Sequence, residues 1–443
     1  MTHQPTNPLR PPPPPERIRL PEKGTSWDEL ETAMRAMGEG DVDWRSGRAA
    51  VYVFHAGEDV LEVAKRAYAL YQSENGLGPA AFPSLARMES EVVDMGLGLL
   101  QAPEGACGNL TSGGSESILM AVKTCRDQAA ARGVETAGAE IVLPWSAHLA
   151  FDKAAHYLGL RIVRVAVGSD LRADVAAMAE AVSERTIMLV GSAPCFPYGL
   201  IDPIDALSEL ALERDLWLHV DACVGGYFNP FARRNGVEVE PFDFSLPGVR
   251  SISADLHKYG YAAKGASTIF HRDEAQRAFQ GFECDAWPAG VMRTPTAAGT
   301  RPGGAIAAAW AVMRYLGEEG YCQKARDVVR ARERIEEAVA GIPELALIGA
   351  PKLGLVAYGM AEGCTDFSIF HVWARLKARG WFTGVVTQPP GIHLMLSPAH
   401  LHAMDDYVAD LHAVLAELRA GHPADGGGPA GGGTERPFEP RYS

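Results

Sequence analysis

The stretch Ser251-Ile252-Ser253-Ala254-Asp255-Leu256-His257-Lys258-Tyr259-Gly260-Tyr261-Ala262-Ala263-Lys264-Gly265-Ala266-Ser267 decides how this chain is read. A short apolar run from Val249 to Ile252 predicts a strand, and it gives way to small and polar residues. Then come a His-Lys pair, the glycines Gly260 and Gly265, and a second lysine, Lys264. A lysine just past a strand end, among small residues, reaches a ligand at little steric cost. Its amine condenses with aldehydes to form a Schiff base. Taken alone, His257-Lys258 reads as an ordinary solvated loop pair, so the functional reading turns on the rest of the chain.

Outward from that stretch the pattern is strand, then helix, repeatedly. On the N-terminal side, helices are expected at residues 26–37 (with Ser26 as N-cap before Glu29), 60–71, 85–100 and 118–131. Strands are expected at 141–143, 162–167, 186–190 and 216–220, with helices at 173–182 and 204–213. On the C-terminal side a helical region at 304–316 resumes at 321–340. Beyond it lie strand signals at 345–348, 353–358 and 392–396 and helices at 366–379 and 404–418. The alternation argues an α/β fold, a mostly parallel sheet with helices on both faces, plus a smaller C-terminal α+β domain. The expected organisation is an N-terminal arm and segment at 1–59, a large domain at 60–316, a small domain at 317–421 and a tail at 422–443. Residues 11–15 are all proline and predict a stiff polyproline II arm. The tail is rich in Gly and Pro and cannot build a core, so it is expected to be disordered.

A chain of 443 residues is long enough for two domains and a sizeable core. Its 41 Lys and Arg against 55 Asp and Glu leave a net charge of −14, which argues against a nucleic-acid partner. An anionic substrate must therefore be gathered by local cations. The seven cysteines form no CxxC pair and read as free thiols in a reducing cytosol. No apolar run approaches a membrane span and no signal-peptide core opens the chain, so a cytoplasmic protein with no integral membrane segment is expected. No metal site is read.

In open α/β sheets, ligands sit beyond the carboxyl ends of the strands. His148, Asp221 and Lys258 all occupy that kind of position, so the predicted strands deliver them to one rim. Thr111-Ser112-Gly113-Gly114-Ser115-Glu116-Ser117 opens a helix with two glycines and hydroxyl groups, a pattern whose free N–H groups suit an anion such as phosphate. It is also a common turn and helix cap. Asp221 closes the apolar run Trp217-Leu218-His219-Val220, and a carboxylate there needs a partner.

In chain order these motifs resemble the fold-type I pyridoxal-phosphate enzymes and, within them, the sphingosine-1-phosphate lyases. The resemblance rests on residues 111–121, Ser146-Ala147-His148, Ile201-Asp202-Pro203, residues 219–226, residues 251–265 and Thr300-Arg301-Pro302-Gly303-Gly304, in order with compatible spacing. It covers roughly residues 20–400.

The resemblance implies pyridoxal 5'-phosphate as cofactor and a role for each matching residue. Lys258 would carry the Schiff base, Asp221 would pair with the pyridine nitrogen and His148 would stack on the ring. Gly114, Ser115 and His257 would hold the cofactor phosphate, and Gly303 would reach the phosphate of a neighbouring subunit. Lys264 would meet the substrate phosphate or shuttle protons. The family also leads one to expect a substrate-facing tyrosine in the N-terminal segment, where Val53-Phe54-His55-Ala56 puts His55, and Asn-Pro-Leu-His-Pro, where Asn75-Gly76-Leu77-Gly78-Pro79 stands. His55 and Asn75 are thus the candidate substrate residues, and Gly78 departs from the pattern.

The implied protein is a homodimer with shared active sites. It would cleave a small amphiphilic substrate, a phosphorylated long-chain amino alcohol. The competing readings are an amino-acid decarboxylase with the same cofactor and a non-catalytic scaffold of the same fold. Tyr259-Gly260 after the His-Lys pair, where decarboxylases usually carry tryptophan, favours the lyase.

Overall fold

The computed structural model describes residues 17–364 and 366–421. The prolines at 11–15 and the stretch 422–443, read above as a stiff arm and a disordered tail, lie outside the described residues. The chain separates into two compact units, Met1–Val42 and Asp43–Ser443. In the first, the helix Trp27–Met37 starts on a capping box: Ser26 Oγ accepts from the Glu29 amide, and Glu29 accepts from the Ser26 amide at 3.2 Å.

The second unit is built on a seven-stranded sheet. Its strands are β1 Cys107–Thr111, β2 Glu140–Pro144, β3 Arg161–Val165, β4 Thr186–Ser192, β5 Trp217–Asp221, β6 Val249–Ala254 and β7 Ser267–His271, in the order β1-β7-β6-β5-β4-β2-β3. Strands β2 to β6 run parallel, while β7 is antiparallel to both β6 and β1. Alternate residues feed opposite faces, as the two-residue period requires. Ile141, Leu143, Met188, Val190 and Trp217 pack with Ile118, Val122 and Phe151 on one side. Val142, Leu189, Leu218 and Val220 pack with Ile204 and Leu207 on the other. A sheet buried on both faces explains why these strands read as continuous apolar runs.

Strands β1 and β7 are not anticipated by the sequence pattern, nor is the helix Ala150–Leu158. Strand β1 contains Gly108 and Asn109, residues with little strand preference. Its conformation comes from pairing, and a Cβ on Gly108 would lie 2.6 Å from the Ile269 carbonyl of β7. A hairpin, β8 Phe282–Cys284 and β9 Met292–Thr294, precedes the long helix Gly303–Ala340. That helix leaves helical geometry at Gly317 (φ 54°), inside the interval where the sequence pattern breaks.

The smaller α+β portion is an antiparallel sheet of β10 Leu345–Leu347, β11 Leu355–Met360, β12 Gly384–Thr387 and β13 Pro390–Met395, in the order β10-β11-β13-β12. The helices Ile369–Ala378 and His400–Arg419 accompany it. Tyr259 ties this portion to the large sheet. Its buried phenol donates to the Leu396 carbonyl at 2.7 Å and approaches the Gly354 carbonyl at 3.1 Å. Residue 354 must be glycine, because a Cβ there would lie 2.1 Å from the Tyr259 oxygen.

Candidate active site

Strand β6 ends at Ala254, and the chain then coils into a tight loop in which the Lys258 amide donates to the Asp255 carbonyl and the Tyr261 amide to the Lys258 carbonyl. Gly260 is required there, since a Cβ would meet the Leu256 carbonyl at 2.5 Å. The loop turns Lys258 back so that its Nζ lies 3.0 Å from Asp255 Oδ2. Burial acts to lower the Lys258 pKa, but the nearby charges of Asp255 and Asp221 outweigh it and raise it. Burial likewise acts to raise the Asp255 pKa, and the charges of Lys258 and His257 outweigh that and hold it down. Asp255 is part of this centre although the sequence pattern alone assigns it no role.

Asp221 is buried at the end of β5, where its Oδ1 accepts from the Cys223 amide at 3.1 Å and from Ser253 Oγ at 3.4 Å. His148 follows β2, and its Nδ1 accepts from the Ala150 amide at 3.1 Å. Burial lowers the His148 pKa, with the charge of Asp221 pulling the other way, so its ring is neutral near pH 7. Phe196 meets it edge to face at 6.4 Å between centroids. Strands β2, β5 and β6 thus bring His148, Asp221 and Lys258 to one rim.

The helix Gly114–Ala131 starts against the same loop. A Cβ on Gly114 would lie 2.8 Å from Asp255 Oδ2 and 2.9 Å from Cys223 Sγ, and one on Gly113 would lie 3.9 Å from the His257 ring. Ser115 is exposed in the first turn of this helix. His257 donates Nδ1–H to the Ala266 carbonyl at 2.7 Å, and burial lowers its pKa. Its Nε2, 3.8 Å from Asp255, carries a proton only when a second one is taken up. An arriving phosphate would favour that uptake.

Lys264 donates to the Tyr52 carbonyl at 2.8 Å and sits 5.7 Å from the centre of the Phe54 ring. Much of its residue surface is exposed, yet its ammonium is hemmed in. Burial, then the charge of Lys258, lowers its pKa to about 8. The aromatic residue at this point of the N-terminal segment is Tyr52, in a left-handed backbone conformation (φ 64°). His55, the sequence candidate, is not brought here. It packs edge-on against Trp44 at 5.3 Å and pairs with Glu58 at 3.5 Å. The alternating pattern around Val51–Phe54 carries no sign of the reversal at Tyr52, so the sequence gives no hint that Tyr52 rather than His55 lies beside Lys264.

Tyr52 also lines a pocket of about 420 Å³ with Trp145, Phe196, Tyr198, Trp373 and Phe382. Ser146 lines the same pocket, and its buried hydroxyl has no hydrogen-bond partner among the described residues. Asn75 does not reach the Lys258 loop through any described contact. Its side chain accepts from the Leu77 and Arg301 amides, at 2.9 and 3.1 Å, and so clamps the 300–304 turn. Gly303 is buried in that clamp, and its own amide already donates to the Glu74 carbonyl at 3.0 Å.

A half-buried lysine beside a buried carboxylate, a neutral histidine and a glycine-opened helix start together suit an anionic aromatic aldehyde. Gly114 leaves space beside Asp255 and Cys223 at the start of that helix, a cradle that a Cβ would fill, so the residues fit such a group. The profile described as "Pyridoxal-dependent decarboxylase conserved domain" matches residues 17–361. The chain is 41% identical to the sphingosine-1-phosphate lyase of Arabidopsis thaliana over 409 residues, 90% of this chain and 74% of that protein. It is 40% identical to sphingosine-1-phosphate lyase 1 of Rattus norvegicus over 382 residues, 86% of this chain and 66% of that one. The solved structure of the Burkholderia pseudomallei sphingosine-1-phosphate lyase superposes with a TM-score of 0.87 at 36% identity, covering 92% of this chain and 94% of that one. The chain belongs to the pyridoxal-dependent decarboxylase family and, within it, to the sphingosine-1-phosphate lyases. It is a fold-type I enzyme whose cofactor is pyridoxal 5'-phosphate. No helix of the described residues is long and apolar enough to cross a membrane.

Proposed function

We propose that this enzyme cleaves a phosphorylated long-chain amino alcohol, sphingosine 1-phosphate or a close analogue, into a long-chain aldehyde and phosphoethanolamine. The observation that carries the proposal is the aromatic pocket that shares Tyr52 with the Lys264 ammonium. It offers apolar surface for an alkyl chain beside a cation for a phosphate.

The cofactor supplies the electron sink for the broken carbon–carbon bond. In this reading Lys258 is the amine that anchors the cofactor, and Asp255 holds its proton whenever the amine is free. Asp221 faces the ring nitrogen, and His148 lies against the ring. Gly114, Ser115 and His257 receive the cofactor phosphate. Lys264 meets the substrate phosphate, with Tyr52 at the mouth of the chain pocket.

We further propose a cytoplasmic homodimer whose sites draw on both chains through the 300–304 turn. The large domain would span 60–316 and the small one 317–421, with the boundary at the Gly317 kink. Aldehyde release from phosphorylated and unphosphorylated sphingoid bases tests the function, with carbon dioxide release from amino acids measured alongside. Faster cleavage of the phosphorylated base is expected. Equal rates would remove phosphate recognition, and carbon dioxide without aldehyde would make the enzyme a decarboxylase.

A further inference from the structure

Beneath Asp221 lies a row of buried polar side chains that the proposed chemistry does not use directly. Strands β5 and β6 are parallel neighbours, with His219 in register with Ser251 and Asp221 with Ser253. The two-residue period puts Trp217, His219 and Asp221 on one face of β5, and Ser251 and Ser253 on the same face of β6. Trp217 Nε1 lies 2.7 Å from Ser251 Oγ, and Ser251 Oγ lies 2.8 Å from His219 Nδ1. His219 Nε2 lies 3.2 Å from Ser253 Oγ, which lies 3.4 Å from Asp221 Oδ1. Cys223 Sγ approaches Ser253 Oγ at 3.3 Å. All six residues are buried.

The direction of each bond follows from what each group can do. An indole nitrogen only donates, so Trp217 gives its hydrogen to Ser251 Oγ. The only other partner of Ser251 Oγ among the described residues is His219 Nδ1, and a buried hydroxyl hydrogen without an acceptor is costly. Ser251 therefore donates to Nδ1, which must be the bare nitrogen. Burial lowers the His219 pKa to about 4, so the ring is neutral and its single hydrogen sits on Nε2. That hydrogen goes to Ser253 Oγ. Burial also holds Cys223 as a thiol, a second donor to the same oxygen. With both lone pairs of Ser253 Oγ filled, its own hydrogen points at Asp221 Oδ1.

We propose that Trp217, Ser251, His219 and Ser253 form a one-way hydrogen-bond relay that fixes the rotation of the Asp221 carboxylate, tying down Oδ1 and presenting Oδ2 to the cofactor ring. His219 and Ser253 are positioning residues in this scheme. The inference rests on the reading of Asp221 as the partner of the ring nitrogen, but the tautomer it requires does not depend on the substrate.

Two measurements test it. In cofactor-free protein with 15N-labelled histidine, long-range proton–nitrogen correlation should show a His219 signal with a pyridine-type Nδ1 and a pyrrole-type Nε2, assigned by its loss in His219→Gln. Trp217→Phe removes the first donor and should produce a mixture of tautomers. In pyridoxal-phosphate-loaded protein, Ser253→Ala should alter the absorption spectrum of the bound cofactor and lower turnover per bound cofactor about tenfold, the scale of one hydrogen bond to a charged group. Ser253→Thr, which keeps the hydroxyl, should restore both. The opposite tautomer in the parent protein overturns the relay, as does a Ser253→Ala spectrum and turnover identical to the parent's. Failure to bind pyridoxal phosphate at all would instead overturn the reading of the site and leave the tautomer result standing.

Discussion

Lys258 Nζ and Asp255 Oδ2 are 3.0 Å apart, and the two residues sit in a single loop that closes over the end of the large sheet. A buried charge is tolerated only with a partner, and Lys258 and Asp255 are each other's partner. Asp255→Asn removes the largest of the charges that raise the lysine pKa and leaves Asp221 to oppose burial, which lowers it. In cofactor-free protein at neutral pH, Lys258 should then be acylated at least about tenfold faster, because one pKa unit is a factor of ten in free amine. Mass spectrometry of the labelled peptide measures this. An unchanged rate would show that Asp255 does not hold the proton.

Lys258→Ala should abolish both the visible absorbance of the bound cofactor and the adduct trapped by borohydride. An adduct mapped to Lys264 would move the anchoring amine to the second lysine.

Lys264 carries its pH dependence in the direction its environment dictates. Its pKa is lowered to about 8, so it loses its proton, and its attraction for phosphate, as pH rises through that value. Between pH 7 and 9, KM for a phosphorylated substrate should rise about tenfold in the parent enzyme, following the fraction of charged amine. In Lys264→Met the profile should be flat and KM high throughout. A parent profile with no rise removes Lys264 from phosphate recognition.

Tyr52 and His55 should separate cleanly. Tyr52→Ala removes an aromatic wall of the pocket and should raise KM for long-chain substrates, whereas His55→Gln should leave KM within about twofold, the effect of a side chain outside the pocket. The reverse result would restore His55 to the site.

His219, His271, His393 and His400 are all held neutral by burial, with pKa values lowered to about 4. An unfolded histidine takes up its proton near pH 6.5, so between about 6.5 and 4 the unfolded chain binds more protons than the folded one. Stability is therefore full above that window and falls as pH drops through it. Thermal unfolding followed from pH 7.5 to 5 should show a falling Tm, and His400→Gln should make the fall shallower. A Tm independent of pH across that range would contradict the buried neutral histidines.

The sequence makes Lys258, Asp221 and His148 legible because each follows an apolar strand, and strand ends in parallel sheets converge on one rim. Asp255 is spelled out in the same stretch, but its role depends on a loop geometry that residue types do not encode. Tyr52 hides behind a positive φ at a position with no glycine to announce it. The relay under Asp221 uses two strands that are both visible in the sequence, yet the pairing of His219 with Ser251 requires knowing that β5 and β6 are neighbours. Strands β1 and β7 escape notice for a related reason, since Cys107–Thr111 is extended only because Ser267–His271 lies beside it.

The Tyr259 phenol has a consequence for how the protein is made. Tyr259, next to Lys258, takes its hydrogen-bond acceptors from Gly354 and Leu396. A nascent chain that has emerged only as far as the large sheet leaves that phenol without those two carbonyls and the lysine loop without its anchor. The anchoring of the loop that carries residue 258 therefore waits on the synthesis of residue 396. Until then a growing polypeptide carries the lysine without a finished site around it.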